Sequence, residues 1–424
     1  MDIKGLVDGL KNCPCGRKHE IDIKAVEIGS GLLNKTAEIL TANNFPKKIL
    51  VVADKNTLKA SEGILEVLKE GGFLYGIKLY ENLREADVKG VNEVEEESKA
   101  YEGILSVGSG SLNDICRRAA FLADKEFAIF ATAPSMDGFA SGTSPITENN
   151  FKVTKQARQP SIIIADTKIL ANAPAELKSA GFGDMIAKYI ALVDWKVSHL
   201  VTGEYYCENV ALITKKALEK VVKLAPRVTE ASEEAAEAIM EALVLTGLAM
   251  KLADCVRPAS GTEHIISHYW EIKKLEKGLI SDYHGKKVGV ATLFATRIYK
   301  NIILNKNIKF TLDKTDWDEV YKAYGPNFSE DIKKLNSPTV TDETTPEILR
   351  ENWDEIVRIV HSELPSESDL LNLMKQAGAA ATLDEISVSK DLGLQGLKYH
   401  PYMRHRMTLM RLLPMTDIKI DYEQ

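Results

Sequence analysis

The sequence predicts an α/β N-terminal domain on a mainly parallel sheet, followed by an all-α C-terminal domain. Three observations carry that expectation. Between residue 21 and about residue 165, short apolar runs alternate with amphipathic stretches, the signature of strand and helix in turn. Several of the apolar runs end in an acid, a glycine loop or an Ala-Pro pair, as parallel strands do where they feed a turn. From Pro174 onward the pattern is helical. The expected domains are residues 1–170 and 171–424.

Taken in order, residues 48–54 are β-branched, end in Asp54 and read as a strand. Residues 56–70 place Leu58, Ile64, Leu65 and Leu68 at helical spacing and read as one helix. Residues 75–80, after the Gly71-Gly72 break, form the next strand, and the acidic run 93–97 is the solvated face of a helix. Residues 103–107 run into a glycine loop, and 127–131 run into Ala133-Pro134. Residues 136–160, with Gly138, Gly142, Pro145 and Pro160, read as a long loop and hairpin feeding a last strand at 161–166. Helices are expected to start at Pro174-Ala-Glu-Leu and at Gly183-Asp-Met-Ile-Ala-Lys. A long one over 230–252 puts Ala236, Ile239, Leu243 and Met250 on one face.

The chain has 424 residues, 45% of them hydrophobic and 27% charged, which suits a folded protein with a large core. Its net charge of −7 has the wrong sign for holding a nucleic acid by charge. The apolar runs are far too short to cross a bilayer, and the first twenty residues lack the apolar core of a secretory signal. A cytoplasmic location is the expectation. Five cysteines are too few for a disulfide framework, and Cys116, Cys207 and Cys255 read as core thiols. Cys13, Cys15 and His19 fall within seven residues, as in the start of a zinc knuckle, but lack a fourth ligand nearby. They read as a surface loop.

Two constellations carry chemistry. Gly108-Ser109-Gly110-Ser111-Leu-Asn-Asp114 sits where a strand gives way to a helix, so backbone N–H groups there can face a pyrophosphate. With Asp54 at the end of an earlier strand, this suggests a dinucleotide on a Rossmann-like sheet, although Gly-x-Gly alone also marks bare turns. Asp54 suits an adenosine ribose and the adjacent Lys55 a 2′-phosphate, which leaves NAD and NADP both open. The second constellation is Asp184, His264, His268 and His284. His264 and His268 lie one helical turn apart, and two histidines with a distant carboxylate make a three-ligand metal site with open positions. By spacing alone a helix with two partly exposed histidines remains the plainer reading. Ile265 stands where a zinc protease needs its glutamate.

The chain order of Asp54, Gly108–Asp114, Thr132-Ala-Pro-Ser-Met-Asp-Gly138, Gly181-Phe-Gly-Asp184-Met-Ile-Ala-Lys188, His264-x-x-x-His268 and His284-Gly-x-x-Val288 resembles the sn-glycerol-1-phosphate dehydrogenase family. That family shares a superfamily with glycerol dehydrogenase, iron-type alcohol dehydrogenases and dehydroquinate synthase, and the resemblance spans roughly residues 20–400. It implies an NAD(H)- or NADP(H)-linked, metal-dependent interconversion of dihydroxyacetone phosphate and sn-glycerol 1-phosphate. Asp184, His264 and His284 match the metal ligands, for zinc or nickel, and His268 matches a proton-relaying histidine expected to titrate near neutral pH. Asp54, Gly108, Ser109, Gly110, Ser111 and Asp114 match the dinucleotide site, and Thr132 and Ser135 the segment near the nicotinamide. Asp137 and Ser141 match positions between nicotinamide and substrate. Lys155, Arg158 and Lys188 are the candidate partners for the substrate phosphate. The resemblance also implies a homodimer. It leaves as rivals a polyol dehydrogenase, a dehydroquinate-synthase-like lyase and an inactive binding protein.

Overall fold

The structure, a computed structural model, describes residues 1–148 and 151–422. Eight strands are formed: β1 (Ala25–Gly29), β2 (Lys48–Asp54), β3 (Leu74–Tyr80), β4 (Gly103–Gly108), β5 (Glu126–Ala131), β6 (Thr143–Glu148), β7 (Phe151–Gln156) and β8 (Ile162–Asp166). Six of them make a parallel sheet in the order β1-β8-β5-β4-β2-β3, and β6 and β7 pair separately as an antiparallel hairpin. The central strands are buried on both faces, which explains their continuous Ile/Leu/Val/Phe runs. Edge strand β3 alternates between exposed and half-buried positions. The chain steps outward from β2 to β3 and then returns to the other side of β2 as β4, so strand order reverses between β2 and β4. Ligands gather at the carboxyl ends flanking such a reversal, and Asp54 and Gly108 lie there on adjacent strands, one residue past the Ala53–Val107 pair.

Two helix expectations are corrected. Residues 56–70 form two short helices, Lys55–Ala60 and Ile64–Glu70, because Gly63 takes a left-handed φ of 94° between them. Gly183 does not start a helix: it lies in the last turns of Ala175–Ile186, and Lys188–Thr202 follows. The long helix starts at Glu233, where the Ser232 side chain accepts from Ala235 N at 3.2 Å, and ends at Ala253. From residue 175 onward the regular elements are helical. Among the described residues no helix is long and apolar enough to cross a membrane.

Two glycines set the spacing of the helical region. A Cβ on Gly183 would lie 2.5 Å from Gly285 O, and one on Gly285 would lie 1.9 Å from Ala180 O. The helices Ala175–Ile186 and His284–Ile303 therefore meet backbone to backbone, which puts Asp184 of the first beside His284 at the start of the second.

The neighbours of these glycines are main-chain atoms that cannot swing aside. Gly285→Ala is therefore expected to cost about 1–3 kcal/mol of stability by overpacking, and to pull His284 away from Asp184. Thermal unfolding and metal content measure both; an alanine variant with unchanged melting and metal content would contradict this packing.

Candidate active site

The glycine loop opens onto a cavity of about 470 Å³ between the sheet and the helical region. Ser109 stands at the N-cap position of the helix Gly110–Leu122 without a side-chain capping bond, and the first residues of that helix, Gly110, Ser111 and Leu112, line the space. Ser109 Oγ shares a 2.5 Å hydrogen bond with Ser135 Oγ and donates to Ala133 O at 3.1 Å, so the loop is locked to the segment after β5. Ser109, Gly110, Ser111 and Asp114 line the cavity, as do Ser135, Asp137 and Ser141. Thr132 sits behind this wall, buried, its N–H donating to Gly108 O at 3.2 Å. Burial pushes the Asp114 carboxyl up to about 6. Asp54 also faces the cavity, but its Oδ1 accepts from Thr57 N at 2.8 Å and its Oδ2 from Leu83 N at 3.4 Å. It therefore caps a helix as well as facing the ligand space.

Asp184, His264 and His284 offer ligand atoms that all lie within 4.8 Å of one another. His264 Nε2 stands 3.6 Å from Asp184 Oδ1, while its Nδ1 is 2.6 Å from Glu263 Oε1. A ring that donates Nδ1–H to a carboxylate presents its Nε2 lone pair on the other side, the usual support for a metal-bound histidine. One carboxylate and two imidazoles bordering an open cavity fit a divalent transition ion with room for substrate. Burial opposes charge on His264, yet its hydrogen bonds to Asp184 and Glu263 outweigh that and push it up to about 9. Burial holds His284 well below the usual imidazole range. His268 stacks on His284 with ring centroids 5.8 Å apart, and its Nδ1 is 3.2 Å from Glu271 Oε2. Burial pushes it down to about 4, below the near-neutral range expected of it.

The candidate phosphate partners lie elsewhere. Lys155 pairs with Glu148 at 2.7 Å and Arg158 with Asp124 at 2.6 Å, and neither lines the cavity. Lys188 is fully buried and donates to three acceptors: Asp137 Oδ2, Asp184 Oδ1 at 2.8 Å and Ala259 O at 3.0 Å. No proton of that ammonium is left for a ligand. The cations that do line the cavity are Lys152, Lys287, Arg404 and Arg406, beside Arg84 and Arg117. Lys152 and Lys287 share one carboxylate, Glu271 Oε1, at 3.0 and 3.2 Å. Arg404 donates to the carbonyls of Met403 and Lys152, and Arg406 to Ser260. Burial, then the neighbouring Arg257 and Arg404, press Arg406 down to about 10. The signal in the sequence was the basic run Arg404-His405-Arg406, close to the chain end and far from every motif.

Comparison with known proteins agrees with this arrangement. Residues 27–174 match the family described as iron-containing alcohol dehydrogenase. The glycerol-1-phosphate dehydrogenase, NAD(P)+, of Halalkalibacterium halodurans is 31% identical over 412 residues, covering 95% of each chain. This chain belongs to the glycerol-1-phosphate dehydrogenase family. Its relatives include the enzyme of that name from Geobacillus stearothermophilus, 28% identical over 97% of each chain. The one from Pyrococcus furiosus is 31% identical over 69% of this chain and 82% of its own. Among solved structures, a probable glycerol dehydrogenase from Sinorhizobium meliloti has a TM-score of 0.61 at 16% identity, covering 95% of this chain and 94% of that one. An NADH-dependent butanol dehydrogenase from Thermotoga maritima has a TM-score of 0.60 at 15% identity over 95% of both. These two share the fold of this family member, a parallel sheet followed by helices.

His264→Ala is expected to lose the metal of this centre and activity together, read as the drop in metal equivalents relative to wild type and as turnover; full turnover would refute the ligand set. Because His264 carries a proton below about pH 9 and His284 does not near neutrality, metal uptake near pH 7.5 displaces about one proton. The apparent affinity should thus fall roughly tenfold per pH unit below 9. Calorimetry of this centre alone, with the Cys13, Cys15, His19 and Cys207 cluster already saturated, in buffers of different ionisation enthalpy counts that proton, and a pH-independent affinity would contradict the assignment.

Proposed function

We propose that the protein interconverts dihydroxyacetone phosphate and sn-glycerol 1-phosphate: the ketone, NAD(P)H and one proton give the alcohol and NAD(P)+. The observation that carries this reading is the cluster of cations at one end of the cavity, where Lys152, Lys287, Arg404 and Arg406 stand beside His268 and Lys152 and Lys287 share the Glu271 carboxylate. Neutral glycerol has no use for such a group of cations. A phosphate dianion does, and guanidinium groups suit its geometry.

Asp184, His264 and His284 would hold the metal, zinc or nickel, and Ser109, Gly110 and the helix start behind them would hold the dinucleotide pyrophosphate. When bound, the metal supplies Lewis acidity to the C2 oxygen and the reduced nicotinamide supplies two electrons. Asp137 ties the two regions together: its N–H donates to Asp184 Oδ2 at 2.9 Å and its carboxylate accepts from Lys188. Lys188 keeps Asp184 well below the usual carboxylate range despite burial, so that the ligand is ionised. His268, in the cavity lining beside His284, is the candidate for passing the hydroxyl proton between substrate and solvent once the charges of the loaded site act on it, with Glu271 on its Nδ1 fixing the ring. The family resemblance further implies a homodimer in the cytoplasm, which light scattering and cell fractionation would check.

Arg404→Ala should weaken kcat/KM for dihydroxyacetone phosphate by the loss of a charged hydrogen bond, ~1.5–3 kcal/mol or roughly 10- to 100-fold. Turnover of unphosphorylated dihydroxyacetone should change little. The experiment is NADH and NADPH oxidation with both ketones, on chelated protein reconstituted with zinc, nickel or iron, with chiral assignment of the product. Equal loss on both ketones, or faster turnover of the unphosphorylated one by the wild type, would overturn the phosphate reading.

A further inference from the structure

Cys207 is not an ordinary core thiol, and the leader cysteines do not stand in a simple surface loop. Residues 1–24 run from the helix Ile3–Asp8 over the C-terminal end of Glu233–Ala253 before entering β1. On that path Cys13, Cys15 and His19 meet Cys207, the N-cap of the helix Glu208–Val222, and one ligand atom from each lies within 4.8 Å of the others. Cys207 is thus the fourth ligand that the local sequence lacks, supplied from 188 residues after His19.

We propose that Cys13, Cys15, His19 and Cys207 bind a second metal ion, a structural zinc, separate from the Asp184 centre and independent of the reaction assigned to it. Four features support this. The first is spacing: Cys13 Sγ to Cys207 Sγ is 3.4 Å, Cys15 Sγ to His19 Nε2 is 3.2 Å and Cys207 Sγ to His19 Nε2 is 3.9 Å. With Zn–S near 2.3 Å and Zn–N near 2.0 Å, a tetrahedral site has edges of about 3.5–3.8 Å. The second is the histidine: its Nδ1 donates to Leu252 O at 2.7 Å, which leaves the Nε2 lone pair directed at the sulfurs. The third is support for thiolate charge. The sulfurs of Cys13, Cys15 and Cys207 face the backbone N–H groups of Cys15, Arg17 and Val210. Asn209 Nδ2 and Tyr205 Oη add donors at 3.3 and 3.4 Å, and the Arg17 guanidinium lies 3.6 Å above the Tyr205 ring.

The fourth feature is the ligand count. Three thiolates and an imidazole close a tetrahedron with no position for substrate, which marks a structural rather than a catalytic site, and soft sulfur selects zinc over harder ions. Zinc displaces three thiol protons and leaves a net charge of −1, facing the donors just named. The ion would clip the leader, and with it edge strand β1, to two helices of the helical region.

The test counts metals. Purified wild type should carry two equivalents per chain after zinc saturation and removal of loose ion; His264→Ala should keep one, and Cys15→Ser should keep the other. Cobalt-loaded His264→Ala should show thiolate-to-metal charge-transfer absorption, and Cys15→Ser should abolish it. Should Cys15→Ser fail to fold, zinc-edge X-ray absorption on His264→Ala decides, the expected shell being three sulfurs and one nitrogen. No metal retained in His264→Ala, an all-nitrogen-and-oxygen shell, iron in place of zinc, or a Cys13–Cys207 disulfide by non-reducing mass spectrometry would each overturn the proposal; one equivalent in wild type that His264→Ala retains would support it and count instead against the Asp184 centre.

Discussion

The site depends on a contact that involves no side chain: the backbone of Gly183 against the backbone of Gly285. Protein interiors are packed too tightly for two helices to meet this closely when either carries a Cβ at the crossing. The crossing puts Asp184 and His284 on facing surfaces, one residue from each glycine. His264 reaches them from the helix Thr262–Leu275, steadied by Glu263, whose Oε1 also accepts from Gly261 N at 2.9 Å. Shift the glycines and the donors separate, even with every functional residue in place.

Charge is arranged around that contact in two layers. In the buried layer, Lys188 lies between Asp137 and Asp184, so two carboxylates that would otherwise repel each other share one ammonium. In the open layer, Lys152, Lys287, Arg404 and Arg406 line the cavity, with Lys152 and Lys287 paired to Glu271. The first layer keeps Asp184 ionised before any metal arrives. The second offers a phosphate ester a group of cationic donors for which a plain polyol has no use.

How much of this was legible in the sequence follows from what sequence patterns encode. The sheet was readable because strands buried on both faces are continuous apolar runs, and the glycine loop because it directly follows one of them. Asp184, His264 and His284 are widely separated, and only their order within the family motifs joined them; no local pattern shows that a carboxylate on one helix faces an imidazole on another. Lys188 was visible as a residue but not as a buried one, since its spacing from Asp184 says nothing of Ala259 O beyond. Arg404 and Arg406 were missed because the tail returns to the cavity from outside the motif-bearing core. Cys207 was read as a core thiol for a different reason: a ligand supplied 188 residues after His19 leaves no spacing to read. The helix over 56–70 was misjudged because a left-handed glycine interrupts a run whose apolar spacing continues across the break.

The central claim is that one small molecule bridges the metal centre and the cationic end of the cleft. The most direct measurement is a crystal structure of the metal-loaded protein with NAD(P)+ and sn-glycerol 1-phosphate. The account predicts metal density among Asp184, His264 and His284, and the substrate phosphate between Lys152 and Arg404 or Arg406. A phosphate bound against Lys155 or Arg158, or a metal held by other residues, would contradict it.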